Sequence, residues 1–258
     1  MPAPPPELHA LLEEAYERYN RPEFIKEDPI QVPHLFSKKE DIELAAFFSA
    51  TIAWGRRASI IKNAYALMDR MDRSPFDFVM GAEEPELARL EGFVHRTFNA
   101  VDARGMVLAL REIYENEGLE ALFAKGMGEE QSTYGGIVAL HERMARHPQF
   151  AERSRKHVAN PSRGSSAKRI NMFLRWMVRD DGRGVDLGIW KSIKASQLMM
   201  PLDVHTGNVA RKLGLLSIKQ NNWKAVLALT DSLRQFSDDD PVRYDFSLFG
   251  LGAYDQLG

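Results

Sequence analysis

The chain of 258 residues contains no cysteine. Disulfides, thiolate nucleophiles and cysteine-ligated iron–sulfur clusters are therefore excluded. It also lacks an uninterrupted apolar run of the ~18 residues that a membrane-spanning helix needs, so no membrane association is expected. The opening Met1-Pro2-Ala3-Pro4-Pro5-Pro6 has neither the charged nor the apolar region of a signal peptide and reads as a short lead-in. A cytoplasmic location follows as an expectation. No segment alternates β-branched and polar residues around a hairpin turn, so strands are not expected either. Internal repeats are missing, as is low complexity beyond the N-terminal prolines.

What is present has a helical period. Hydrophobic content of 44% and charged content of 27% are ordinary for a globular protein. Leu8, Leu11, Leu12, Ala15, Tyr16 and Tyr19 follow the i, i+3, i+4 spacing of a first helix. Ser37-Lys38-Lys39-Glu40 has the form of a capping box. The helix it opens carries Ile42, Leu44, Ala45, Phe47, Phe48 and Ile52, apolar nearly all round, and should lie deep in a core. Further helices are expected over 58–71, from Ser74-Pro75 to residue 80, and over 104–116, 118–125, 134–146 and 167–179. Ser237-Asp238-Asp239-Asp240-Pro241 reads as a late helix start, with acids at the positive end of the dipole and proline in the first turn.

Net charge is only −2, but it is unevenly spread. Residues 151–219 hold fourteen Lys and Arg against five acids, a local +9 that leaves −11 for the remainder. This pattern fits a surface facing a polyanion. It equally fits a solvated helix face.

The most informative segment is Met199-Met200-Pro201-Leu202-Asp203-Val204-His205. Asp203 stands where a proline-stiffened loop becomes an amphipathic helix, and an aspartate there caps the free amides of the first turn. Thirty-five positions earlier, Lys168 follows the turn cluster Asn160-Pro161-Ser162-Arg163-Gly164-Ser165-Ser166. A turn leading into a helix N-terminus is a natural seat for phosphate. A lysine amine paired with a carboxylate can attack a sugar carbon and form a Schiff base, provided something accepts its proton.

These motifs resemble the helix-hairpin-helix DNA glycosylase superfamily. Pro201-Leu202-Asp203-Val204-His205 followed by Val209-Ala210-Arg211-Lys212-Leu213-Gly214-Leu215 is similar to the segment that carries its aspartate. The interval from Lys168 to Asp203 is closest to the archaeal 8-oxoguanine DNA glycosylases, as is Lys168-Arg169-Ile170-Asn171-Met172-Phe173-Leu174-Arg175-Trp176-Met177. Leu44 to Ala50 resembles the buried early helix of the superfamily. The whole chain is similar to a bacterial family catalogued as a domain of unknown function. There are departures. The superfamily hairpin reads Leu-Pro-Gly-Val-Gly-x-Lys, and a strict overlay places Ser166 rather than Lys168 at its lysine. Thr51 stands where some branches have a DNA-inserting glutamine.

The resemblance implies an all-α fold of two helical lobes flanking a cleft. One barrel-like lobe (37–197) would carry the hairpin and Lys168, and the other (1–36 plus 198–258) would carry Asp203. It implies a nucleoid-associated monomer without cofactor or metal that binds double-stranded DNA containing a damaged base. The implied reaction is DNA glycosylase with AP lyase activity, releasing an oxidised base such as 8-oxoguanine through Lys168 and Asp203. His205, Arg163, Gly164, Arg169 and Arg175 would hold the DNA. Trp54, Trp176, Asp240 and Tyr244 would line the base pocket, with Trp190 as a further aromatic wall. The alternatives are a non-catalytic DNA-binding protein that keeps the fold, and a helical scaffold with no nucleic-acid role.

Overall fold

A computed structural model describes residues 5–257. Residues 1–4 of the proline lead-in fall outside the described residues. In chain order the helices are α1 (Pro6–Tyr19), α2 (Lys39–Thr51), α3 (Arg57–Arg70), α4 (Pro75–Gly81) and α5 (Glu84–Leu87). A hairpin of β1 (Val94–His95) and β2 (Phe98–Asn99) follows. Then come α6 (Ala100–Asn116), α7 (Leu119–Met127), α8 (Tyr134–Arg146), α9 (Lys168–Val178), α10 (Val204–Lys212), α11 (Trp223–Arg234) and α12 (Asp245–Ala253). The fold is helical, as the periodicity implies. None of the described helices is long and apolar enough to cross a membrane.

Local chemistry moves some boundaries. The cap position of α2 is Lys38, not Ser37, and no side chain caps it. The expected capping box is therefore absent, and the helix is held instead by its buried face from Leu44 to Ala50. A capping box does form at α6. The Asn99 side chain accepts from the amide of Val101, and the Asp102 carboxylate accepts from the amide of Asn99. The hairpin pairs Val94 with Asn99 and His95 with Phe98, and turns through Arg96 at φ +55°. Two residues per strand are too few for alternation to show in sequence. After Asp240-Pro241 the chain first forms a 3-10 turn (Pro241–Tyr244) and only then α12.

The described chain divides into two compact units. Unit 1 runs up to Phe24, takes in Glu129–Tyr134, and resumes from Asn160. Unit 2 comprises Ile25–Gly128 and Gly135–Ala159. The lobes expected from resemblance separated Lys168 from Asp203, whereas both residues lie in unit 1. Its core is built from Leu12 and Tyr16 of α1, Phe173, Leu174 and Trp176 of α9, Leu229 and Leu233 of α11, and Phe246 and Leu248 of α12. Helix α12 packs against both α1 and α10. Gly250 permits the first of these contacts, because a Cβ there would stand 2.1 Å from Cδ2 of Tyr19. Unit 2 encloses Phe47 and Phe48 of α2, Leu67 of α3, Leu110 of α6 and Leu140 of α8.

Candidate functional site

The turn before α9 is tightly specified. The Asn160 side chain accepts from the amide and hydroxyl of Ser162, at 2.9 and 2.6 Å. Gly164 takes the left-handed conformation (φ +84°) that reverses the chain. Ser165 then pairs with Asn222 in an isolated bridge, and the Trp223 amide donates to the carbonyl of Gly164. The Ser165 hydroxyl accepts from the amide of Ala167, itself left-handed at φ +48°, and the Asn171 side chain donates to the carbonyl of Ser166. Helix α9 begins immediately afterwards. Its apolar residues Ile170, Phe173, Leu174 and Met177 enter the core, leaving Lys168 on the first turn with about a third of its side chain exposed.

Helix α10 is fixed just as firmly. One carboxylate oxygen of Asp203 accepts from the Thr206 amide at 2.8 Å, the N-cap bond expected of an aspartate there. The Asp203 carbonyl accepts from the Asn221 side chain at 2.8 Å, and Arg211 in turn donates to Asn221 and to the Ile218 carbonyl. The second carboxylate oxygen, Oδ2, lies 3.4 Å from Nζ of Lys168. Capping and pairing thus fall to different oxygens of one carboxylate. The pair is partly open to solvent, with side-chain exposures of 32% for Lys168 and 15% for Asp203.

Behind the pair runs a chain of buried charges. Arg175 is 4% exposed and donates to Asp245 and, at 3.1 Å, to Asp186. Asp186 also accepts from Arg179, which forks onto Asp240 and reaches Asp181 at 3.1 Å. Asp181 accepts from Tyr16 and Asn20 at 2.7 and 2.6 Å. Burial works against ionisation of Asp181, but the hydrogen bonds from Tyr16, the Arg183 amide and Asn20, with the charge of Arg179, hold it at about 2. Burial pushes Asp245 up to about 6 even though Arg175 pulls the other way.

The remaining residues singled out in sequence fall into two groups. Arg163, Gly164 and His205 are exposed on the two helix-entry segments, and the His205 ring faces Phe249 edge-on at 6.4 Å. Arg169 is half-buried, and loss of solvent brings its guanidinium down to about 10. Arg175, by contrast, could meet a phosphate only by surrendering its interior ion pairs. Trp176 and Trp190 are core residues, the latter edge-on to Phe173 at 5.3 Å. Asp240 holds Arg179, while the buried Tyr244 donates to Glu13 at 2.6 Å. In unit 1, then, Trp176 and Tyr244 are buried, while Asp240 is partly exposed beside Arg179. Trp54 belongs to unit 2, where its ring stacks on His157 at 5.6 Å and its carbonyl meets His95.

The basic stretch is likewise divided. Arg153, Arg155 and Lys156 lie in unit 2 and the other eleven in unit 1. Arg175 and Arg179 are buried, and Arg183 and Lys191 pair with Glu17 and Asp180. Among the described residues no three His, Asp or Glu side chains converge to hold a metal ion.

The family described as "Protein of unknown function (DUF2400)" matches residues 28–254. The chain belongs to this family. The match spans α2 to α12, including the turn before α9 and both members of the Lys168–Asp203 pair. No curated protein and no solved structure matches the chain.

The residues that sequence reasoning did not single out are Asp186, Asp245, Tyr16, Asn20 and Asn221. One signal pointed toward the first two. Arg175 stands within the apolar run from Met172 to Val178 that Arg179 ends, and guanidinium groups buried in such a run require carboxylates. Which acids answer them depends on packing between elements distant in sequence.

Proposed function

We propose that the chain is a DNA glycosylase with AP lyase activity that removes an oxidised base such as 8-oxoguanine from duplex DNA. The observation that carries this reading is the 3.4 Å approach of Lys168 Nζ to Asp203 Oδ2. Its setting is two helix N-termini that the segment 218–223 ties together. In this reading Asp203 takes a proton from Lys168. The freed amine then attacks C1′ of the target nucleotide, forming an N–C bond as the glycosidic bond breaks, and the base leaves with the proton that Asp203 took, which restores the carboxylate. Opening of the sugar ring yields an iminium, and the Asp203 carboxylate balances positive charge developing on the sugar. Arg163, the Gly164 turn and His205, all exposed, serve the phosphates. In this reading the protein acts as a monomer on nucleoid DNA in the cytoplasm. The resemblance around 160–215 to helix-hairpin-helix glycosylases supports the same chemistry.

The test is borohydride trapping on a panel of duplexes carrying oxidised and alkylated bases. A covalent adduct is expected with wild type and none with Lys168→Met. Asp203→Asn, which preserves the cap, should slow trapping by ~100-fold or more, the range for loss of a general base. No adduct from wild type on any duplex would remove the central step.

One observation favours a second reading, a helical scaffold with no nucleic-acid role. Several of the fourteen basic residues are spent on internal or surface ion pairs. That reading expects no duplex binding even at low salt, where phosphate contacts are strongest.

A further inference from the structure

Asp203 is held through its backbone as well as its carboxylate, and part of that hold comes from a distant element. The carboxylate divides between the Thr206 amide and Lys168. The backbone carbonyl accepts the first intrahelical bond, from the Gly207 amide at 3.0 Å, and a second bond from Nδ2 of Asn221 at 2.8 Å. The helix needs only the first of these. Asn221 is itself oriented: Nη2 of Arg211 donates to its Oδ1 at 2.5 Å, while Nε of Arg211 donates to the Ile218 carbonyl at 2.8 Å. A guanidinium has no acceptor, so Oδ1 must face Arg211 and Nδ2 must face Asp203. Room for this clamp exists because position 207 carries no side chain. A Cβ there would stand 2.8 Å from Nη1 of Arg211 and 2.9 Å from Oδ1 of Asn221.

The next two residues of the same segment hold the other half of the pair. Asn222 pairs with Ser165, and the Trp223 amide donates to the Gly164 carbonyl at 3.3 Å. The Ser165 hydroxyl then accepts from the Ala167 amide, directly before Lys168. Successive Cα atoms lie ~3.8 Å apart, so one short segment sets the separation of the two helix entries. We infer that Asn221 is a positioning residue for the Lys168–Asp203 pair: its amide, oriented by Arg211, fixes the Asp203 backbone where Oδ2 meets Nζ of Lys168. This inference rests on the reading of that pair as the reacting site. Asparagine suits the position because it offers an acceptor toward Arg211 and a donor toward Asp203 on one short side chain. Aspartate would keep the bond from Arg211 but turn an acceptor toward the Asp203 carbonyl.

Contact within the pair can be read on the full chain without DNA by a carbodiimide, which joins an amine to a carboxylate only where the two touch. Wild type should yield a linked Lys168–Asp203 peptide by mass spectrometry. Asn221→Ala and Asn221→Asp should each lower that yield about fivefold, the equivalent of one ordinary hydrogen bond. If Asn221 served only to satisfy Arg211, aspartate would replace it, so a wild-type yield from Asn221→Asp overturns the inference. An unchanged yield from Asn221→Ala overturns it as well, as does a wild type that gives no linked peptide. In the trapping assay, Asn221→Ala should slow adduct formation at saturating duplex by a similar factor with half-saturation unchanged. A raised half-saturation at full rate would assign Asn221 to duplex binding and overturn the inference. Lowered link yields with no adduct from any protein would instead overturn the glycosylase reading alone.

Discussion

Two aspartates of unit 1 are driven in opposite directions by their surroundings, and each leaves a mark on stability. Asp181, held at about 2, is more acidic folded than the ~3.9 of an unfolded chain. Its contribution is present above that value and is lost as pH falls toward 2. Asp245, raised to about 6, behaves in the reverse sense. Its protonated form is favoured by folding, so its contribution is fully present below about 4 and is lost as pH rises through 6. Urea unfolding of wild type and Asp245→Asn should therefore show a stability difference that shifts toward wild type by up to about 3 kcal/mol between pH 7 and pH 4. A difference constant across that range would mean Asp245 does not titrate there. Lys168 and Asp203 were legible in sequence because each follows a local turn signal. Asp245 was not, because an aspartate opening a helix reads as a cap, and its commitment to Arg175 is decided by how α12 packs.

At the scale of elements, legibility followed the strength of the local pattern. Helix α8 occupies 134–146 as its periodicity predicts, and α3 differs by one residue at each end. Where a rule of composition competed with packing, packing prevailed: α2 has no side-chain cap, and the acids of 238–240 open a 3-10 turn while Asp240 serves Arg179. The contact of α1 with α12 was invisible, because nothing in either helix names its partner. It hinges on Gly250, where any Cβ collides with the Tyr19 ring. Gly250→Ala should destabilise the protein by about 1–3 kcal/mol, the cost of forcing a methyl into a filled contact, even though alanine is the better helix former. An unchanged denaturation midpoint would show that Tyr19 swings aside freely.

For the whole molecule, unit 2 is nearly continuous while unit 1 is assembled from distant pieces. A fragment of residues 25–159 contains all of unit 2 and only six residues of unit 1. Expressed alone, it should show helical circular dichroism and cooperative unfolding. The fragment 160–258 should not, since it lacks Leu12, Ala15 and Tyr16 from its core and the Tyr16 and Asn20 bonds to Asp181. A cooperative transition from 160–258 would show that α1 is dispensable. The partnership of α1 with α12 also sets a clock on synthesis. Position 245 is made 226 residues after position 19, a delay of about 10–45 s at ribosomal speeds. Throughout that interval the face of α1 that packs on α12 waits for its partner, exposed to whatever else the nascent chain meets.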